Sequence, residues 1–128
     1  MAEDNEGYVC GLSSSSEPMM NVSINGIAQE VSIDAGSVRN LIGEEDLKRL
    51  KIAGFSGDIE HCSKKLFACG GKKIDVVGQF EVEIFAENTK LTSTFIVVKE
   101  GRCILGNGTA QKLGILYIGP RVIPACDN

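Results

Sequence analysis

From residue 19 onward, apolar and polar positions alternate with a period of two, the spacing that puts successive side chains on opposite faces of a strand. Val22 and Ile24 flank Ser23, and Val31 and Ile33 flank Ser32. Between them, Asn25-Gly26 is a strong two-residue hairpin signal. The second strand of this hairpin runs directly into Asp34-Ala35-Gly36, where small residues let the backbone turn sharply and leave a carboxylate at the strand end. A second stretch of alternation covers residues 79–84, with Phe80, Val82 and Ile84 set against Glu81 and Glu83. After a turn at Glu87-Asn88-Thr89, residues 91–98 predict another strand. Its Phe95-Ile96-Val97-Val98 is apolar on both sides, which predicts a central position.

Other segments break this rhythm. Residues 66–77 predict two strands around Cys69-Gly70-Gly71-Lys72, because paired glycines permit the positive φ values of a tight tip. Such a hairpin has freedom to move, although the segment alone also reads as an ordinary surface turn. Residues 43–51 carry acids at the front and bases at the back, which suits the macrodipole of a helix of one or two turns. A second short helix is expected over residues 109–113, stopped by Gly114. Residues 115–125, apolar with two prolines, predict an edge or intersubunit strand. Residues 1–18 are acidic and Ser-rich, a composition expected of a disordered linker, with residues 19–128 forming the domain.

Composition narrows the class. A chain of 128 residues with no Trp, few aromatics and 15 Gly suits one all-β domain of short strands and tight turns. A net charge of −4 argues against a phosphate-binding surface, so no nucleic-acid partner is expected; Lys64-Lys65 and Lys72-Lys73 read as solvated faces. Five cysteines at irregular spacing, with no C-x-x-C, point to a reducing, cytoplasmic compartment rather than a disulfide framework. His61-Cys62 has no second cluster to complete a metal site, so neither metal nor cofactor is expected. No apolar run is long enough to cross a bilayer, and no membrane partner is expected. The glycine-rich stretches lack a P-loop ending, Gly106-Asn107-Gly108 lacks the rest of a dinucleotide fingerprint, and Ser13 to Ser16 with His61 form no triad.

The two hairpins form a weak internal duplication, each ending in an apolar residue, a Gly-containing loop and a short helix. In the first half the loop is Ile33-Asp34-Ala35-Gly36; in the second it is Ile104-Leu105-Gly106-Asn107. Only the first copy carries an acid.

This arrangement resembles the retropepsins, the aspartic proteases of retroviruses and gypsy-type retrotransposons. The resemblance covers roughly residues 19–118 and is carried by Val31-Ser32-Ile33-Asp34-Ala35-Gly36-Ser37 with Asn40-Leu41-Ile42, by Gly70-Gly71 with Val76-Val77-Gly78, and by Ile104-Leu105-Gly106 with Thr109-Ala110 and Leu113-Gly114-Ile115. It implies a closed retropepsin-like acid protease barrel with a flap hairpin and a short C-terminal helix. By that resemblance Asp34 is the catalytic acid of a peptide-cleaving enzyme, and Ala35, Gly36 and Ser37 shape its loop. Cys69, Gly70, Gly71 and Lys72 then lie at the flap tip, and Leu105-Gly106 packs beneath the active-site loop.

The resemblance also implies a homodimer that cleaves extended peptides, its own polyprotein among them, in a cytoplasmic setting compatible with a virus-like particle. The chemistry needs two facing carboxylates, and Asp4, Asp46, Asp58, Asp75 and Asp127 all lack the apolar-Asp-small-Gly setting, so the second must be Asp34 of a partner. One position departs from the family pattern. Ala35 stands where the family has Thr or Ser, whose hydroxyl bonds across the dimer axis. A weakly active natural variant, a domesticated copy and an engineered change all fit that departure, and so does a dimeric binding or scaffolding module that no longer cuts.

Overall fold

The structure is a computed structural model and describes residues 6–9, 19–68 and 70–115. In chain order its elements are β1 (Glu6–Val9), β2 (Met19–Ile24), β3 (Ile27–Ile33), β4 (Asn40–Gly43), α1 (Glu44–Ile52), β5 (Lys65–Ala68), β6 (Lys73–Ile74), β7 (Val76–Ala86), β8 (Thr89–Val98), β9 (Ile104–Leu105) and α2 (Asn107–Lys112). The β2–β3 turn is made by Asn25 at φ 49° and Gly26 at φ 86°, two consecutive left-handed residues whose twist matches the flanking strands. Glu87 at φ 50° and Asn88 at φ 64° do the same between β7 and β8, a conformation that costs more for Glu than for Asn.

Six strands close into a barrel in the order β2-β3-β9-β4-β8-β7, with Ser23↔Phe85 and Ile24↔Ile84 completing the ring. The seam that matters for the site is β9. This two-residue strand pairs parallel with β3 through Ser32↔Ile104 and Ile33↔Leu105, and antiparallel with β4 through Leu41↔Ile104. The second loop of the internal duplication is therefore wedged between the two strands that flank the first.

Alternation along β8 explains why its apolar run is continuous. Phe95 and Val97 point into the barrel core, whereas Ile96 and Val98 join a second cluster with Leu41, Ile104, Leu66 and Ile74 beneath the β5–β6 hairpin. With β4 on one side and β7 on the other, residues 95–98 of β8 are covered on both faces and on both edges. The barrel interior is anchored by Phe80, stacked on Phe95 at 5.9 Å and tilted against Phe55 at 5.1 Å.

The differences from expectation have local causes. The first helix runs for nine residues, longer than one or two turns, because Leu47 and Leu50 are buried and a glycine ends it: Gly54, at φ 118°, donates its N–H to the Lys51 carbonyl. The second helix starts two residues earlier than expected, at Asn107. The strand β4 shows in the sequence only as a motif, since four residues are too few to show a period. Within the stretch expected to be a disordered linker, Glu6–Val9 forms β1, which pairs parallel with β5. Backbone pairing does not depend on apolar composition, so composition could not report it. The edge strand expected over residues 115–125 lies outside the described residues from 116 onward, as does Cys69. No helix among the described residues is long and apolar enough to cross a membrane.

Candidate active site

Asp34 follows the last residue of β3 and remains tied to the barrel, donating its N–H to the Leu105 carbonyl at 3.1 Å. The chain then turns. The Asp34 carbonyl accepts from Ser37 N–H at 3.1 Å, closing a turn over Ala35 and Gly36, and the Gly36 N–H donates to Asp34 Oδ1 at 2.9 Å. The loop thus uses one carboxylate oxygen to hold its own shape. The other is left: Asp34 is only 4 % exposed, and its Oδ2 is buried with no hydrogen-bond partner among the described residues. An unpaired buried carboxylate oxygen is costly, so this atom stands ready to accept a hydrogen bond. Ala35 and Gly36 are exposed at the head of the loop and Val38 is 62 % exposed beside them, while Ser37 is buried.

Ser37 turns the loop inward, its hydroxyl donating to the Arg39 carbonyl at 2.7 Å. Its own carbonyl accepts from Asn107 N–H at 2.8 Å, and the Asn107 side chain donates to the Ala35 carbonyl at 3.0 Å. Leu105 is fully buried in the barrel core, and Gly106 presses against the loop. A Cβ on Gly106 would stand 2.8 Å from the Arg39 carbonyl oxygen and 2.9 Å from that of Ser37, so only glycine allows this approach. Leu105 and Gly106 therefore lie directly under the Asp34 loop.

Beneath both loops sits a residue to which sequence reasoning gave no role of its own. Asn40, 5 % exposed, accepts the Gly106 N–H on Oδ1 at 2.9 Å. Its amide nitrogen lies 2.8 Å from Ser93 Oγ, 2.9 Å from Thr109 Oγ1 and 3.1 Å from the Thr94 carbonyl. One side chain thus links β4, β8, the β9–α2 junction and α2. The available signal was a lone amide heading the apolar run Asn40-Leu41-Ile42, a polar group that burial obliges to find partners.

The β5–β6 hairpin carries Gly70 at φ 97° and Gly71 at φ 88°, both exposed, followed by exposed Lys72. Gly71 N–H donates to the Ala68 carbonyl at 2.9 Å and Ala68 N–H to the Lys72 carbonyl at 2.7 Å, closing the tip. Two surface concavities, of about 490 and 380 Å³, do not include Asp34. One runs between the hairpin, at Ala68 and Lys72, and residues 99–101; the other lies by Met19 and Arg49. Among the described residues, no group of three or more His, Cys, Asp or Glu is placed to hold a metal. Cys103 is buried one residue before β9, its N–H donating to Asp46 Oδ2 at 3.1 Å. Burial, and secondarily the Asp46 charge, push its thiol well above the usual range.

This barrel, with its wedged strand, outer hairpin and short C-terminal helix, is the retropepsin-like acid protease fold. Among solved structures, the chain is similar to an EIAV protease complexed with the inhibitor HBY-793, at a TM-score of 0.68 and 20 % identity over 82 % of this chain and 95 % of that one. No family model matches the chain, and no curated protein does.

Proposed function

We propose that the chain is an aspartic endopeptidase, active as a homodimer in which each copy supplies Asp34. The observation that carries this reading is the buried Asp34 Oδ2, without a partner among the described residues, at the strand-end loop of a barrel similar to that of a protease. Hydrolysis by carboxylates needs two of them. The other described aspartates are differently engaged: Asp46 pairs with Arg49 and the Cys103 N–H, while Asp58 and Asp75 are exposed. A twofold axis beside the exposed Ala35-Gly36 head brings a second Asp34 to the first.

Two carboxylates that close repel when both are ionised, so the pair shares one proton. The ionised member takes a proton from water as the water oxygen bonds to the peptide carbonyl carbon. The protonated member gives its proton to the carbonyl oxygen, and a diol forms. As the C–N bond breaks, the first carboxyl protonates the leaving nitrogen and the second recovers a proton from a diol hydroxyl, which restores the starting pair. Substrate is an extended peptide, a processing site of the parent polyprotein among them, held by strand-like backbone pairing. The β5–β6 hairpin, tipped by Gly70, Gly71 and Lys72, is the flap over it.

Ala35 favours a second reading, a dimeric peptide-binding module without turnover. It offers no hydroxyl to a partner loop, and its carbonyl is braced from within the chain by Asn107. Incubating the protein with a peptide mixture, beside Asp34→Asn and a transition-state-mimicking peptide inhibitor, separates the two. Cleavage abolished by both controls, with a dimer in sedimentation, supports the endopeptidase. Peptide binding without cleavage at any pH between about 4 and 7 leaves the binding module.

A further inference from the structure

The β5–β6 hairpin stands outside the barrel, and β5 has two edges. β6 covers one; β1 covers the other, in the parallel register Glu6↔Lys65, Gly7↔Leu66, Tyr8↔Phe67 and Val9↔Ala68. A strand edge is a row of backbone donors and acceptors, and any extended segment can add to it with little regard to side chain. Here the occupant comes from the same chain. Residues 10–18 join β1 to β2, a tether that reaches at most about 30 Å when extended. Tethering keeps β1 at high local concentration, while a ladder of only four residues leaves it displaceable.

We propose that β1 is a tethered strand ligand, occupying in cis the β5 edge to which an extended peptide adds, so that peptide and β1 exclude one another. This rests on reading β5–β6 as the flap over a peptide cleft. The covered edge then restrains two things together: it lowers the apparent affinity for peptide, and it protects an otherwise open edge from pairing with other chains. Recognition runs through the backbone, so the competitor is any extended peptide rather than one sequence.

The test uses the full chain carrying Asp34→Asn, so that binding is read without turnover. Gly7→Pro and Tyr8→Pro are made separately; neighbouring strand residues point their N–H groups to opposite edges, so one of the two removes a ladder hydrogen bond. The probe is a labelled synthetic peptide copying residues 3–9. In the effective variant, amide exchange at residues 65–68 should rise about ten-fold or more. The probe should bind that variant about five-fold or more tighter than the chain with β1 intact. Protection at residues 95–98 reports that the barrel is still folded. As a measurement without substitution in β1, saturating probe should accelerate exchange at residues 6–9. Unchanged exchange at 65–68 in both proline variants, or at 6–9 under saturating probe, overturns the proposal. Absence of peptide cleavage by the unsubstituted chain, with these exchange changes present, sinks the protease reading and leaves the strand exchange standing.

Discussion

Asn40→Ala should destabilise the domain far more than a single hydrogen-bond deletion. The substitution leaves the Gly106 N–H buried without an acceptor, a cost of about 1–3 kcal/mol, and removes the amide bond to the Thr94 carbonyl, about 1 kcal/mol more. The two hydroxyls limit the damage, because Ser93 Oγ and Thr109 Oγ1 lie 3.0 Å apart and keep each other. The expected total is about 3 kcal/mol, a large share of the roughly 5–15 kcal/mol that holds a domain folded. Urea unfolding at fixed protein concentration should show a midpoint lowered by about 2 M if the m-value is about 1.5 kcal/mol/M. Thr109→Val is the internal control: Asn40 and Ser93 remain bonded at 2.8 Å, so it should cost about 1 kcal/mol. An Asn40→Ala loss under about 1 kcal/mol, or one no larger than that of Thr109→Val, refutes the view of Asn40 as the brace between the two loops.

Further outcomes follow from the same geometry. Gly106→Ala drives a methyl against the Ser37 and Arg39 carbonyls, so stability should fall by about 1–3 kcal/mol and peptide cleavage should fall with it; an unchanged urea midpoint contradicts the close approach. Ala35→Thr adds a hydroxyl at an exposed position on the loop head, and the dimer dissociation constant in sedimentation should drop about ten-fold with activity rising; if neither moves, the hydroxyl has no role at the axis. The raised Cys103 thiol makes the folded state hold a proton that the unfolded chain releases above about pH 8.5, so stability should decline above that pH by at most about 1.4 kcal/mol per unit. That decline should be smaller in Cys103→Ala, and native Cys103 should resist iodoacetamide at pH 8 while half-exposed Cys62 reacts in a mass-mapped digest.

The barrel strands were legible because each has a period. Val22, Ile24, Val31 and Ile33 mark β2 and β3, and Phe80, Val82 and Ile84 mark β7, as inward positions against polar neighbours. The continuous Phe95-Ile96-Val97-Val98 run signalled a strand buried on both faces, and the Asn25-Gly26 turn chemistry was complete in two residues. What could not be read was cooperation between distant short pieces. β4 and β9 are too brief to show a period: β4 is a strand because β8 and β9 lie beside it, and β9 because β3 and β4 do. The position of Asp34 at a turn was readable from its neighbours. That one of its oxygens is spent inside its own loop, while the other has no partner among the described residues, could be seen only in three dimensions. The pairing of β1 with the hairpin was hidden for the same reason, since backbone ladders leave little trace in composition.

The wedge at β9 ties the order of folding to the appearance of the site. Ala35 and Asn107 stand 72 residues apart in the chain, and the strands on either side of the acidic loop are joined in the sheet by Ile104 and Leu105. Closing so long a loop is slow and yields nothing until both ends arrive. A chain still emerging from the ribosome without Ile104 and Leu105 holds the aspartate but has no platform to hold it in place. The carboxylate acquires its final setting in the same event that seals the barrel.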